Sequence, residues 1–73
     1  MIKRGSDNSE VKQWQEFLIS LGHDLTADGI FGAKTQQATR EFQESVGLTA
    51  DGIVGKGSYK EAVERGYSGD FAS

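Results

Sequence analysis

Apolar residues along this chain fall into three helical stripes separated by glycine-rich breaks. Val11, Trp14, Leu18 and Leu21 recur at steps of three, four and three, one face of a helix, with Phe17 flanking the stripe. The spacing Asp7-x-x-Glu10 is that of a capping box, which starts this helix near Asp7 or Asn8. Gly22 stands where a left-handed residue stops it. A second stripe, Thr35, Ala38, Phe42 and Val46, predicts a helix over 33–46, capped by Gly32 and ended by Gly47. The third helix spans 56–65, capped by Gly55, with Tyr59, Ala62 and Val63 facing inward and Gly66 as its stop. Glu61 and Arg65 are spaced for an exposed i,i+4 pair on that helix. Residues 1–6 read as a lead-in in which Ile2 packs and Gly5 turns, and 67–73 as a C-terminal tail or linker.

The breaks are not independent. Residues 25–32 read Leu-Thr-Ala-Asp-Gly-Ile-Phe-Gly and residues 48–55 read Leu-Thr-Ala-Asp-Gly-Ile-Val-Gly, an offset of 23. The similarity extends upstream, where Phe17-x-x-Ser20-Leu21-Gly22 matches Phe42-x-x-Ser45-Val46-Gly47, and downstream, where Thr35 pairs with Ser58. His23 and Asp24 are extra in the first copy. A repeat of this kind constrains the fold before any other feature does. Asp-Gly favours a tight turn, since Gly takes positive φ and Asp bonds nearby backbone N–H groups. The predicted fold is therefore all-α: a small three-helix bundle with two pseudo-repeated Asp-Gly loops and the middle helix shared. Leu25, Ile30, Leu48 and Ile53 are expected to plug its ends, and the loops to contain at most a pair of extended residues.

Size and charge narrow the function. Seventy-three residues make one domain, 1–66 before the tail, and a chain this short buries only about 60% of its unfolded surface. It has no Cys, hence no disulfide and no thiolate ligand. The formal charge of −3 argues against a nucleic-acid partner, which needs a basic stripe. No apolar run is long enough to span a membrane, and Met1-Ile2-Lys3-Arg4 leads into no signal-peptide core.

The loops invite calcium, but the ligands do not add up. With Gly29 at position six of a calcium loop the donors are Asp24, Thr26, Asp28 and Thr35; with Gly52 there, Asp51 is the single carboxylate. Neither loop has the closing Glu, so no metal and no cofactor are expected and the Asp residues read as turn caps. Asp28 and Asp51 form a pseudo-symmetric carboxylate pair, yet identical loops give them similar pKa values, whereas an acid and a base need different ones. His23 is the one histidine, with no nucleophile elbow to serve. Catalytic residues are therefore expected to be absent. Aromatic and hydrogen-bonding groups on or beside the loops are the better candidates for contact with a sugar or peptide. These are Asp28, Phe31, Asp51 and Tyr59.

Several of these pieces together resemble a known family. Arg4-Gly5-Ser6, Glu10-Val11-Lys12-Gln13-Trp14-Gln15, Leu18, Leu21-Gly22, Asp28-Gly29-Ile30-Phe31-Gly32 and Lys34-Thr35 lie in the order and spacing of the peptidoglycan-binding domain of bacterial and phage wall hydrolases. Phe42-Gln43, Gly47-Leu48 and Asp51-Gly52-Ile53-Val54-Gly55 continue the match. The family often has Pro at the positions of Ala33 and Lys56 and Trp at that of Tyr59. The resemblance implies a three-helix, non-catalytic, monomeric module. It would bind peptidoglycan glycan or stem peptide at the cell wall or outside the cell, and hold an attached hydrolase there. A phage origin, with release at lysis, fits the same pattern. The alternative is a protein-interaction or pro-domain-like module on this scaffold. Similar domains shield metalloproteases by presenting a Cys to zinc, a device this chain lacks.

Overall fold

The computed structural model describes residues 1–67, which form three helices: α1 (Ser9–Ser20), α2 (Ala33–Ser45) and α3 (Lys56–Glu64). Each begins where a capping residue leaves the backbone extended. Asn8, not Asp7, caps α1, its Oδ1 accepting from the Val11 N–H at 3.0 Å. Asp7 is otherwise engaged, its backbone forming an antiparallel bridge with Ile30. The capping box is consequently not used. Glu10 instead accepts a hydrogen bond from the Tyr59 hydroxyl and lies 3.6 Å from the Met1 amine. Gly32 and Gly55 cap α2 and α3 without any side-chain bond. Arg65 donates to Glu61 at 2.9 Å, closing the anticipated i,i+4 pair.

The core is a cluster of rings around Trp14. Phe17, Phe42, Tyr59 and Tyr67 place their ring centroids 5.5, 5.6, 5.5 and 5.8 Å from it, three of the four pairs edge-on. Edge-to-face contacts of this kind add about 0.5–1.5 kcal/mol each beyond area burial. The Trp14 indole N–H donates to Thr39 Oγ1 at 3.0 Å, and Thr39 donates to the Thr35 carbonyl at 2.7 Å. The one polar atom of the central ring is thus satisfied on α2. Tyr59 is pushed to a higher pKa, first by burial and then by its bond to Glu10.

Four expectations from the stripes need correction. Leu21 is exposed because it is the C-cap residue, past the last inward turn of α1. Val63 is exposed as well, while its neighbour Ala62 is fully buried. Tyr67, read as the start of a tail, belongs to the core: its N–H donates to the Ala62 carbonyl at 3.0 Å as the chain turns back at Gly66, and its ring packs on Trp14, Phe17 and Tyr59. The remainder of the expected tail lies outside the described residues. Ile30 and Ile53 are 59% and 37% exposed and plug nothing, whereas Leu25 packs against the core.

The reason for the last correction is strand-like alternation. The lead-in crosses both loops. Ile2 and Val54 exchange backbone bonds of 3.0 and 2.8 Å, and Phe31 donates to Ser6 and accepts from Gly5 at 2.9 and 3.1 Å. Successive extended residues point to opposite sides. With Phe31 and Val54 turned in, Ile30 and Ile53 must turn out.

Truncating the central ring should be close to lethal for the fold. Trp14→Ala should cost about 3–5 kcal/mol, comparable with the entire stability of a chain this size, about 4–11 kcal/mol. Thermal unfolding followed by circular dichroism should show little or no cooperative transition. Tyr67→Ala should lower the midpoint markedly, by about 3 kcal/mol, whereas a residue in a loose tail would leave it unchanged.

Candidate functional site

Each Asp-Gly loop is built around one buried glutamine. In the first, Gln15 Nε2 donates to Asp28 Oδ1 (3.1 Å), the Ile30 carbonyl (2.8 Å) and Thr35 Oγ1 (2.9 Å), and Gln15 Oε1 accepts from the Gly29 N–H (2.8 Å). In the second, Gln43 Nε2 donates to Asp51 Oδ1 (3.0 Å), the Ile53 carbonyl (2.9 Å) and Ser58 Oγ (3.1 Å), and its Oε1 accepts from the Gly52 N–H (2.9 Å). Two amide hydrogens serve three acceptors, so one hydrogen is shared. The turn itself is closed by Asp: Oδ1 of Asp28 accepts from the Ile30 N–H at 2.9 Å, and that of Asp51 from Ile53 at 3.0 Å.

Glycine is required in the middle of both turns. Gly29 and Gly52 have φ of +80° and +76°, which L side chains rarely adopt. At Gly52 a Cβ would also meet Gln36 Cγ at 2.9 Å and Arg40 Nε at 3.3 Å.

The hydrogen bonds lower the pKa of both carboxyls. For Asp28 the Ile30 N–H is the main cause and Gln15 the next. For Asp51 the Ile53 N–H again leads; desolvation opposes it, and Gln43 and the positive charge of Arg40 add to the lowering. Both carboxylates are therefore ionised at neutral pH, and both are exposed. All their side-chain hydrogen bonds fall on Oδ1. The second oxygen of each is left on the surface.

Beside each loop, at the start of the following helix, lies a shallow groove. The first, about 280 Å³, is walled by Leu25, Thr26, Asp28, Ile30, Lys34 and Thr35. The second, about 310 Å³, is walled by the equivalent Leu48, Thr49, Asp51, Ile53, Gly57 and Ser58, with Met1 at its edge. The Cα trace spans 26 × 21 × 20 Å. Among the described residues no group of three or more His, Cys, Asp and Glu could hold a metal ion, and no helix is long and apolar enough to cross a membrane.

Of the four residues picked from sequence, the structure places two on the grooves. Asp28 and Asp51 line them. Phe31 and Tyr59 are each 1% exposed and belong to the core, so neither ring can offer a face to a ligand. The grooves are walled instead by Ile30, Ile53, Thr26, Thr49 and Lys34 beside the two aspartates. Ile30 and Ile53 stay exposed although the chain keeps isoleucine in both copies. The two glutamines were also missed. Their signal is the aromatic-Gln pair Trp14-Gln15 and Phe42-Gln43, which recurs at an offset of 28. The match between helix ends runs at 25, three residues out of phase, so the glutamines do not align there.

Replacing either glutamine by leucine strands a Gly N–H, a carbonyl and a hydroxyl. Gln15→Leu and Gln43→Leu should each cost about 2–4 kcal/mol in chemical denaturation, and more than Asp28→Asn or Asp51→Asn, which keep an Oδ1 acceptor. The carboxyls also set an acid limb. Their folded pKa values lie below the unfolded value of 3.8, so their contribution is full above that pH and is lost as pH falls through the folded values. The Asp28→Asn/Asp51→Asn double variant should lose less stability than wild type between pH 4 and pH 2.

Comparison with known proteins agrees with this architecture. The family described as "Putative peptidoglycan binding domain" matches residues 7–60. The type VI secretion system spike protein VgrG3 of Vibrio cholerae is 44% identical over a match covering 77% of this chain and 7% of that protein. The N-acetylmuramoyl-L-alanine amidase CwlL of Bacillus licheniformis is 36% identical, covering 82% and 18%. The chain thus spans less than a fifth of either relative. The crystal structure of the SleB N-terminal domain superposes with a TM-score of 0.84 at 35% identity, covering 88% of this chain and 89% of that one. With its duplicated glutamine-centred turns and three short helices, the chain belongs to the peptidoglycan-binding domain family, as a non-catalytic binding module.

Proposed function

We propose that this module holds an attached wall-lytic domain on peptidoglycan, acting as a monomer at the cell wall or outside the cell. The observation that carries the reading is the pair of open grooves. Each sets an exposed isoleucine beside a threonine and an ionised aspartate on one rigid turn. Apolar walls with a few directed polar groups suit a polymer that alternates C–H faces with hydroxyl and amide groups. Glycan and stem peptide both fit that description.

Shallow grooves bind weakly. Tethering turns weak binding into residence by raising the effective concentration of the attached domain near its polymer, and where two sites engage together the avidity exceeds either single affinity by about 10²–10⁴. Two grooves of the same build on one small body allow that engagement within a single module. With a net charge of −3, contacts should rest on hydrogen bonds and apolar packing, and salt should matter little.

The test is retention on purified sacculi. The isolated chain should co-sediment with them above an unrelated domain of similar size, nearly unchanged between low and moderate salt. Ile30→Ser/Ile53→Ser should reduce retention while leaving the unfolding midpoint within about 0.5 kcal/mol, as expected of exposed positions. No retention by the wild-type chain would overturn the reading, and capture of protein from stripped envelopes instead would favour an interaction module.

A further inference from the structure

The two grooves share their shape but not their charge. Seven of the eight residues in the repeated octapeptide are identical, and Thr35 is matched by Ser58. Along the groove walls the difference that changes chemistry is Lys34 against Gly57. Lys56, one position earlier, lies outside the second groove, whose wall runs through Gly55 and Gly57. The first groove therefore carries Lys34 as well as Asp28 on its wall, while the second has Asp51 with Gly57 in the lysine's place; the positive charges near it are the Met1 amine, 3.6 Å from Glu10, and Arg40, which is not among its walls.

Lys34 takes part in none of the ion pairs among the described residues. Asp28 spends only Oδ1 on its turn. The other polar atom at the base of this groove, Thr35 Oγ1, is held by Gln15, which fixes the floor. A rigid groove with one exposed carboxylate, one exposed ammonium and an apolar wall of Leu25 and Ile30 has a defined complement. It is a group with an ammonium and a carboxylate close together at the end of an aliphatic stem.

We propose that the first groove is a site for a free amino-acid headgroup, with Asp28 facing its ammonium, Lys34 its carboxylate and Ile30 its stem. The second groove, with Gly57 in place of that lysine and the Met1 amine drawn to Glu10, does not take this group. The inference rests on the peptidoglycan reading, in which such a headgroup is the side-chain end of a diamino acid in the stem peptide. Overall charge agrees with it: a chain of net charge −3 repels a bare carboxylate ligand but not one that is neutral as a whole. It also divides the labour, with one groove reading peptide and the other left for neutral polar parts of the polymer.

The experiment is an amide chemical-shift titration with meso-2,6-diaminopimelate. Two controls each lack one charge type: pimelate, without ammonium groups, and 1,5-diaminopentane, without carboxylates. The diamino acid should shift Thr26, Asp28, Ile30 and Lys34 and leave Thr49, Asp51 and Ile53 in place, and both controls should bind more weakly. Lys34→Gln and Asp28→Asn should each weaken binding about 1.5- to fivefold, the range of an exposed ion pair. Gly57→Lys supplies the opposite test. A Cβ at Gly57 meets nothing within 4 Å, and lysine suits a helix better than glycine, so this variant should fold. It should acquire a second set of shifts around Asp51. Shifts in neither groove, equal shifts in both for wild type, pimelate binding as well as the diamino acid, or no gain with Gly57→Lys would each overturn the proposal. Wild-type sedimentation with sacculi in parallel separates the two readings: retention without diaminopimelate shifts removes only the headgroup site, and shifts without retention remove only the anchoring role.

Discussion

Two buried amides hold this domain together at the points where it has no regular structure. Gln15 and Gln43 each reach from a helix into the next loop and bond a Gly N–H, an Ile carbonyl, an Asp carboxylate and a Thr or Ser hydroxyl. Loops of this length need internal partners for their backbone groups, because a buried unpaired polar group costs about 1–3 kcal/mol. A side-chain amide offers donor and acceptor together, which is what an Asp-Gly turn presents in complement. No buried side-chain polar atom among the described residues lacks a partner. That completeness supports two ordered surface loops in a chain that has no cysteine for a disulfide.

The aromatic cluster does the complementary task. Trp14 touches rings from α1, α2, α3 and the segment after it, so each helix is fastened to the same body. The lead-in then ties both loops together through Ile2 and Phe31. The outcome is a small frame whose two grooves have fixed walls. On the proposed reading, function follows from this frame: little conformational entropy is lost when an ordered groove takes its ligand, so even a shallow site can discriminate.

Much of this was legible in the residues, for local reasons. Helix ends came out within a residue or two because glycine stops and caps act on their own neighbours. The repeated octapeptide announced the shared turn. Other features were hidden where tertiary contacts decide. Whether Ile30 or Phe31 faces inward depends on where the lead-in bridges, and nothing in the loop alone sets that phase. Tyr59 lies on the inward stripe of α3 and also beside a loop, and the stripe wins: its hydroxyl is satisfied by Glu10 from another helix, which permits burial. Tyr67 follows a helix stop and reads as loose until the cluster it completes is known. Gln15 and Gln43 are polar residues on apolar faces, and α1 runs one turn longer past its glutamine than α2 does. The structural repeat therefore slips against the one seen between helix ends.

If the glutamine amides lock the loops, the most direct measurement is native-state hydrogen exchange at the Gly29 and Gly52 backbone N–H groups. Among the described residues both are held by glutamine side chains alone. The account predicts protection comparable to that of mid-helix amides in α1 and α2, with both loops opening only when the whole domain unfolds. Exchange at the rate of open surface loops, while the helices stay protected, would contradict it.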